Sequence, residues 1–378
     1  MNLGRPLWAE ISRSTLAANF REIQRRAAPA EVCAVIKCNA YGHGAVECAK
    51  TLEAAGANWF AVTSPEEGIE LRHAGISQRI LLLSGFWREQ AEVVVKHSLT
   101  PSVWESEHLD WLPRYIPEGE RFPIHIEIDT GMSRQGVPAA HARSFIERAS
   151  AIPQLEIEGI YQHYATGEDC GEGPRGQEET FAATLAELPE LNIAPKYLHL
   201  CNSGATIART SQTSFPSAQQ LVRCGIALYG YWLDFENPAG APNWNTQPAL
   251  SWKTRVISLR DVPAGTRVGY SGAYTTTRAT RIASLAVGYG DGLNRLLSSR
   301  GHVLLRGSRV PIIGNVSMDV TLIDVTDVPG TSLGDEVVLI GIQGEQAIDA
   351  WDHARLCGTI PYEILCAVGA RVPRIHIE

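Results

Sequence analysis

The stretch EVCAVIKCNAYGHGAVECAKTLEAAG, residues 31–56, contains one complete structural unit of this chain. Its apolar first part predicts a β-strand that ends near Ile36, and AVECAKTLEAAG predicts a helix. Gly42 and Gly44 allow the chain to turn tightly between the two. Lys37 follows the strand directly. Most lysines are surface charges, so the meaning of this one depends on the rest of the chain.

The same strand–turn–helix unit recurs as far as about Val222. Eight apolar strand candidates end near Ile36, Thr63, Leu83, Val103, Ile128, Tyr161, Leu200 and Val222. Helical patterns separate most of them: AVECAKTLEAAG, PEEGIELRHAG, REQAEVVVKHS, SEHLDWLPRY, AAHARSFIERAS and QEETFAATLAEL. This alternation predicts a parallel α/β sheet with right-handed crossovers. Eight units predict a (β/α)8 TIM-type barrel; the alternative, a doubly wound open sheet, usually has about five or six strands.

The sequence pattern changes after Gly230. Residues 231–249, YWLDFENPAGAPNWNTQPA, read as a connection between domains. The later segments TRVISLRDV, RIASLAV, HVLLRG, RVPIIGNV, DVTLIDV and DEVVLIG alternate with a period of two, and one short helix, AIDAWDHARLCG, interrupts them. We therefore predict a barrel domain at residues 1–235 and a C-terminal mostly-β domain at residues 236–378.

Composition narrows the class of protein. The 378 residues carry a net charge of −8, which argues against a nucleic-acid partner. The N-terminal sequence lacks the apolar core of a signal peptide, and no apolar run reaches the length of a membrane span. None of the eight cysteines forms a C-x-x-C pair, which favours reduced thiols over disulfides or a zinc site. These features predict a cytoplasmic protein with no membrane and no metal.

The active sites of such barrels lie at the carboxyl ends of the strands. Lys37 stands there, where a partly desolvated amine can form a Schiff base with a carbonyl, although a salt-bridged lysine is an alternative. Phosphate often binds at the last two loops of a barrel. Candidates in HLCNSGA and LVRCGIALYG are His199, Asn202, Ser203, Arg223, Gly225 and Ile226. Ser203 could instead cap a helix, and Gly225 could be a plain turn glycine. Together with Lys37 they suggest a phosphate-bearing aldehyde, pyridoxal 5'-phosphate.

Motifs along nearly the whole chain resemble those of alanine racemases. They are AVIKCNAYGHG, IDTGMSRQG, HLCNSG, VRCGIALYG, VGYSGAY, VGYGDG, VSMDV and PYEILC, in this order. The resemblance implies a pyridoxal-phosphate enzyme that interconverts L- and D-alanine for peptidoglycan synthesis. It also implies a homodimer in which the β domain of one subunit completes the active site of the other.

By this resemblance, Lys37 holds the cofactor and serves as the base for the D-enantiomer. Tyr270 is the base on the opposite face and comes from the other subunit. Racemisation needs a proton removed on one face of Cα and delivered on the other, so two bases are physically sensible. Tyrosine is a poor base near pH 7 unless cations lower its pKa. The resemblance assigns that help to His163 and Arg134, and substrate binding also to Arg134.

The resemblance also places Arg223 opposite the pyridine nitrogen. An arginine stays charged and therefore disfavours a protonated pyridinium, which limits side reactions such as transamination. Many other pyridoxal-phosphate enzymes use a carboxylate there, so Arg223 favours a racemase over a decarboxylase. The bland alternative for Arg223 is a surface or salt-bridge arginine.

The remaining assignments by resemblance concern both domains. Tyr41 and Tyr362 match tyrosines that contact the phosphate, together with Ser203 and the amides of Gly225 and Ile226. His163 and Asn202 lie by the same likeness near the cofactor, with His199 in support. Met318 and Asp319 match a partner-contributed piece near the substrate carboxylate, where Met318 would offer its backbone N–H. Tyr289 resembles an entrance tyrosine. Each of these could instead be core packing.

The fifth strand departs from the family pattern. In PIHIEIDTGMSR, three isoleucines share one face, while His125, Glu127 and Asp129 share the other and should point into the barrel. Many relatives have a carbamylated lysine where Glu127 stands. We predict that Glu127 replaces its negative charge and aligns Arg134; pairing with His125 or with another strand is the alternative. A second departure is Ser133, where glycine is common.

Three other readings stay open at this point. One is a racemase of broader specificity, for example for serine, which only the width of the pocket would separate. Another is a pyridoxal-phosphate decarboxylase of the same architecture. A third is a non-catalytic cofactor carrier, which would more plausibly be a lone barrel or lack Tyr270.

Overall fold

The computed structural model describes residues 4–168, 174–208, 218–232 and 245–378. They fall into two compact units. The β unit lies within Met1–Thr15, Tyr41–Gly44 and Pro248–Glu378, and the barrel unit within Leu16–Ala40 and Ala45–Gln247. The predicted boundary between residues 235 and 236 lies outside the described ranges. Within those ranges, no helix combines the length and the apolarity needed to cross a membrane.

The elements are numbered here in chain order. The strands are β1 (Leu7–Ser12), β2 (Glu31–Val35), β3 (Trp59–Val62), β4 (Arg79–Leu82), β5 (Thr100–Val103), β6 (Phe122–Asp129), β7 (Val137–Pro138), β8 (Leu155–Tyr161), β9 (Tyr197–His199), β10 (Gln219–Cys224), β11 (Leu250–Val262), β12 (Arg267–Val268), β13 (Tyr274–Thr275), β14 (Thr280–Leu285), β15 (His302–Leu305), β16 (Ser308–Ile313), β17 (Thr321–Asp324), β18 (Glu336–Gln343), β19 (Gln346–Ile348) and β20 (Arg374–Ile377). The right-handed helices are α1 (Arg13–Ala27), α2 (Ala45–Ala54), α3 (Pro65–His73), α4 (Ala91–Lys96), α5 (Ser106–Trp111), α6 (Ala142–Ser150), α7 (Arg175–Ala186), α8 (Ser203–Ala208), α9 (Ala350–Cys357) and α10 (Pro361–Cys366).

Eight parallel strands close the barrel. The ring runs β2, β3, β4, β5, β6, β8, β9 and β10, and β10 pairs back onto β2. Each strand end predicted from the sequence lies within one or two residues of the observed end. The prediction of a (β/α)8 barrel is therefore confirmed, and the open sheet is excluded.

The barrel interior is partly polar. Ile124, Ile126 and Ile128 on β6 are buried on the outer face, as the alternation predicted. His125 and Glu127 point inward, where they hydrogen-bond to residues of β8 and β9. Buried polar groups are costly unless they are hydrogen-bonded, so these partners make the inward polar face possible.

The β unit is mostly β, as predicted. Its main sheet has the order β19-β18-β15-β16-β17-β14-β11-β1-β20, and β18 also pairs with β11. Several elements of this unit went unpredicted, including β12, β13, β19 and β20. The N-terminal strand β1 pairs with β11, with Leu7 opposite Thr254. A second helix, α10, follows α9, and Pro361 occupies its first turn, where the missing N–H is harmless.

Candidate active site

Lys37 lies at the carboxyl end of β2 and opens an unusual turn. The next four residues, Cys38 to Tyr41, all have left-handed backbone angles, with φ between 52° and 54°. Side chains hold this turn, because Glu67 accepts a hydrogen bond from the Cys38 N–H at 2.6 Å and Asn39 accepts one from the Ala45 N–H at 2.8 Å. Left-handed conformations cost roughly 1–2 kcal/mol per residue. Such strain persists where the surroundings over-determine it, often at functional sites.

The left-handed turn ends in the β unit, beside α10. Gly42 has φ of 84°, and a Cβ placed there would lie 2.3 Å from the Leu365 carbonyl oxygen. The preceding residue, Tyr41, is 6% exposed, and its ring centroid lies 5.9 Å from that of Tyr362. Two tyrosines that the sequence assigned to one phosphate are therefore neighbours.

Gly42→Ala is expected to destabilise the protein by at least about 2 kcal/mol, because left-handed strain and a backbone clash add together. Gly358→Ala is the matched control in the same unit: Gly358 also has a positive φ, 68°, but open space around its Cβ position. Gly358→Ala should lower the free energy of unfolding by only about 1 kcal/mol. Urea unfolding measures both variants. Equal losses in the two would contradict the close contact with α10.

Arg223 is a buried arginine, which excludes the surface reading. It is 3% exposed on β10. Its NH1 group lies 2.9 Å from His199 Nδ1, and its NH2 group donates to the Gln162 carbonyl at 2.8 Å. Its guanidinium carbon lies 4.7 Å from the centre of the Tyr161 ring. None of its described hydrogen-bond partners is a carboxylate. Histidine rings and backbone carbonyls hold the guanidinium instead.

Ser203 and Gly225 meet after β9 and β10, as expected from the sequence. The Ser203 hydroxyl accepts a hydrogen bond from the Gly225 N–H at 2.8 Å. Ser203 is the first residue of α8, and Asn202 caps that turn by accepting from the Ala205 N–H at 3.0 Å. Ile226 follows Gly225 directly. A hydroxyl grouped with backbone N–H donors suits a phosphate.

His163 is held in its neutral form. Burial, and then the positive charges of Arg223, Arg134 and Lys37, lower the pKa of His163 to about 2. The help that the resemblance assigns to His163 for Tyr270 stays a prediction. The Nδ1 of His163 lies 3.3 Å from Arg223 NH2, and its Nε2 lies 3.5 Å from Asn202 Nδ2. Both ring nitrogens of His163 therefore lie near nitrogen donors, which suits a neutral ring.

Glu127 is a buried carboxylate with two direct partners. It is 2% exposed and accepts hydrogen bonds at 2.8 Å from the Tyr161 hydroxyl and from Gln135 Nε2. Burial raises the pKa of Glu127, while these two hydrogen bonds and the charges of Arg223 and Arg134 oppose the rise. The described hydrogen bonds thus join Glu127 to a neighbouring strand and to Gln135, the residue after Arg134. The charge of Arg134 acts on Glu127, and the alignment of Arg134 by Glu127 stays a prediction.

The loop that carries Arg134 is anchored by Asp129. One oxygen of this carboxylate accepts hydrogen bonds at 3.0 Å from the N–H groups of Gly131, Met132 and Ser133. Ser133 has φ of 56°, a left-handed angle that glycine adopts more readily, which accounts for glycine being common at this position. Sequence reasoning placed Asp129 on the inward face and missed this anchoring, although an aspartate before a turn is its usual signal.

The β unit displays the other candidate residues on its surface. Tyr270, Met318 and Tyr289 are 74%, 53% and 44% exposed. Backbone contacts tie their loops together, because Tyr289 N–H donates to Ser317 O at 2.9 Å and Asn315 donates to Tyr270 O at 3.1 Å. These loops therefore lie together and present large side chains to solvent.

Asp319 belongs to the same surface. Its carboxylate accepts a hydrogen bond from Arg371 at 2.7 Å, and its carbonyl accepts one from Arg5. Arg5 and Arg371 also pair with the buried Asp291, at 3.0 and 2.6 Å. These ion pairs fix the loop that carries Met318.

Comparison with known proteins covers both units. Residues 11–232 match the alanine racemase N-terminal domain and residues 249–376 the C-terminal domain. The chain is 40% identical over 376 residues to an alanine racemase of Halothermothrix orenii, covering 98% of this chain and 96% of the relative. It is 41% identical over 378 residues to one of Carboxydothermus hydrogenoformans, covering 99% and 100%.

Solved structures of alanine racemases also resemble this chain. An alanine racemase from Bacillus anthracis with bound L-Ala-P superposes with a TM-score of 0.91 at 34% identity, covering 100% of this chain and 96% of that one. One from Bartonella henselae, with covalently bound pyridoxal phosphate, has a TM-score of 0.86 at 31% identity and covers 99% and 100%. This chain is a member of the alanine racemase family, the isomerases that interconvert L-alanine and D-alanine.

Proposed function

We propose that this enzyme uses pyridoxal 5'-phosphate, with Lys37 and Tyr270 as acid–base groups on opposite faces of alanine, in a homodimer that shares its active sites. In the cytoplasm it would supply D-alanine for peptidoglycan. The observation that carries the cofactor assignment is the grouping of three features on adjacent strands. Lys37 follows β2, Arg223 lies on the neighbouring β10, and Ser203 follows β9. Parallel strands bring their carboxyl ends to one edge.

The donor set fits the cofactor group by group. The Lys37 amine would hold its aldehyde carbon. Ser203, with the N–H groups of Gly225 and Ile226, would hold the phosphate, and Tyr41 and Tyr362 are proposed as further phosphate contacts. His163 and Asn202, whose side chains lie 3.5 Å apart, would line the ring. When bound, the cofactor lowers the pKa of the substrate Cα–H.

Arg223 would face the pyridine nitrogen. An arginine donates hydrogen bonds and does not accept them, so it leaves that nitrogen unprotonated. The buried, multiply hydrogen-bonded position of Arg223 supports this role, because it holds the guanidinium in one orientation. A weaker electron sink favours simple proton exchange over competing reactions, which supports a racemase over a decarboxylase.

Lys37 and Tyr270 would move the protons. The Lys37 amine would remove the Cα proton from D-alanine and would donate a proton when D-alanine forms. The Tyr270 side-chain oxygen would do the same for L-alanine on the opposite face. Arg134 would orient the substrate and supply positive charge near Tyr270, since His163 is neutral. The Met318 N–H would meet the substrate carboxylate, Asp319 would hold that loop, and Tyr289 would narrow the entrance.

The exposure of Tyr270 supports the shared site. A catalytic phenol needs a desolvated position, yet in a single chain 74% of this residue faces solvent. A second copy of the chain would supply the missing surroundings. The most common assemblies of this kind are two-fold symmetric dimers.

The direct test uses the purified protein with added pyridoxal phosphate. We expect a visible absorbance band from the lysine-bound cofactor, a dimer by analytical ultracentrifugation, and loss of optical rotation with L-alanine. L-serine and a bulkier amino acid run in parallel should react more slowly. Absence of the visible band would remove the cofactor assignment, and equal rates with serine would favour the broader racemase.

Glu127→Gln is expected to lower kcat/KM for alanine about tenfold, because one charge-assisted interaction near Arg134 is lost. The proposed role is a fixed negative charge that takes the place of a carbamylated lysine. Glu156→Gln is the matched control, since Glu156 is an exposed carboxylate on the adjacent strand β8. Steady-state kinetics compare the two. Unchanged turnover and unchanged substrate affinity in Glu127→Gln would end this idea.

A further inference from the structure

A chain of hydrogen bonds runs through the barrel interior from Arg223 to a distant carboxylate. Arg223 NH1 lies 2.9 Å from His199 Nδ1, and His199 Nε2 lies 2.8 Å from His125 Nδ1. His125 Nε2 lies 3.4 Å from Glu158 Oε2. Glu158 in turn pairs with Arg79, whose NH1 lies 2.9 Å from Oε1. These five residues are called the barrel relay.

The relay joins the two ends of the barrel. Arg79 is the first residue of β4 and so lies at the amino ends of the strands, whereas Arg223 is near the carboxyl end of β10. His125 and His199 are fully buried, and Glu158 is 6% exposed. Interiors of such barrels are normally filled by branched apolar side chains. A continuous buried polar row is costly unless every member is satisfied, so its geometry is tightly determined.

Arg223 fixes the direction of the hydrogen bonds from one end. A guanidinium only donates, so His199 Nδ1 accepts. Burial, followed by the charge of Arg223, lowers the pKa of His199 well below its usual value, so the ring is neutral. Its proton is therefore on Nε2, which donates to His125 Nδ1. His125 must then carry its own proton on Nε2 and donate to Glu158.

Glu158 imposes the same direction from the other end. Burial opposes its ionisation, but hydrogen bonds from His125 and Arg79 and the charge of Arg79 lower the pKa of Glu158 to about 2. An ionised carboxylate only accepts. A protonated His125 would donate from both nitrogens and leave His199 with two acceptor nitrogens and no proton. One proton arrangement satisfies both ends.

We infer that Glu158, held ionised by Arg79, is a positioning residue for Arg223: it fixes the Nε2–H tautomers of His125 and His199 and through them the orientation of the guanidinium. Neither Glu158 nor Arg79 is assigned to the cofactor or the substrate. The inference rests on the proposed function in one respect, because Arg223 matters to the reaction only if it faces the cofactor ring.

Nitrogen NMR of histidine tests the tautomers without reference to activity. In the loaded wild-type protein, selectively ¹⁵N-labelled on histidine, His125 and His199 should both be neutral Nε2–H tautomers across the neutral pH range. The single variants His125→Gln and His199→Gln serve only to assign the signals. A protonated ring, or an Nδ1–H tautomer, at either position would overturn the inference.

Glu158→Gln tests the positioning role. Its neutral amide can donate as well as accept, so the relay loses its fixed direction. We expect a second tautomer of His125, a shifted cofactor absorbance band, and a fall in kcat of about tenfold with KM much less affected, by analogy with the loss on removing a hydrogen-bond partner of a metal-ligating histidine. Arg79→Lys keeps a cation beside Glu158 and should keep the wild-type tautomers, whereas Arg79→Met should not.

A stability control separates positioning from general damage. Ile146→Val on α6 removes one buried methylene away from the relay and should leave the tautomers and the absorbance band unchanged. If the wild type racemises alanine but Glu158→Gln leaves tautomers, band and kcat unchanged, the inference is wrong and the proposed function stands. If the wild type does not racemise alanine, the proposed function is wrong, and the tautomers still decide the relay. If Glu158→Gln does not fold, the histidine NMR spectra of the wild type, Arg79→Lys and Arg79→Met test the inference instead.

Discussion

Replacing Lys37 by alanine is expected to remove the visible cofactor band and to lower racemisation in both directions by at least about a thousandfold. The variant loses the amine that would hold the cofactor and, at the same time, one of the two acid–base groups, each typically worth about 10² to 10⁴ in rate. Absorbance spectroscopy follows the band, and chiral chromatography follows both enantiomers.

The control for this variant is Lys50→Ala. Lys50 lies on α2 with its side chain 49% exposed and pairs with Glu47 at 3.0 Å. Exposed pairs of this kind contribute little, so the control should keep both the band and the activity. A Lys37→Ala protein that keeps the visible band would show that another amine holds the cofactor, and the assignment of the barrel site would fail.

Tyr270→Phe is expected to keep the cofactor band and the dimer but to lower racemisation about a thousandfold, because only the hydroxyl is removed. The two faces should then behave differently. In heavy water, D-alanine should still exchange its Cα hydrogen, because Lys37 serves that face, whereas L-alanine should not. Mass spectrometry of each recovered enantiomer measures the exchange.

Tyr115→Phe provides the matched control, since Tyr115 is 43% exposed on the barrel unit. It should react like the wild type. If Tyr270→Phe racemised alanine at full rate in both directions, the two-base assignment would be wrong. Loss of exchange from both enantiomers would instead mean that the hydroxyl positions Lys37 as well as moving protons.

Much of the barrel follows from local sequence. The strand before Lys37 and the helix after Gly44 are strong local signals, and repetition of that unit fixes the ring of eight strands. The same logic located Ser203 and Gly225, because the last two loops of a barrel are neighbours by topology. The two residues are in contact, because the Gly225 N–H donates to the Ser203 hydroxyl at 2.8 Å.

Other features depend on contacts that are distant along the chain. LWAEIS alternates like a strand, but nothing local says that β1 pairs with β11. The left-handed turn after Lys37 contains no glycine until Gly42, so propensity gives no hint of it. It is held by Glu67 and Asn39, whose hydrogen bonds exist only in the folded chain.

Charge states were the least predictable part of the site. The resemblance assigned His163 a role beside Tyr270, but only the folded chain shows that burial and the charges of Arg223, Arg134 and Lys37 lower its pKa. The alternation of β6 predicted that His125 and Glu127 point inward, yet it could not name their partners on β8 and β9. Burial and partners, which decide a pKa, are properties of the fold.

Mixed dimers give the most direct test of an active site built from Lys37 of one chain and Tyr270 of another. Lys37→Ala and Tyr270→Phe chains, co-expressed with different affinity tags, yield dimers that contain one of each. If sites are shared, one site in each mixed dimer carries both changes and the other carries neither, so we predict about half of the wild-type activity per dimer, although both parent variants are nearly inactive. Mixed dimers as inactive as their parents would contradict the shared site.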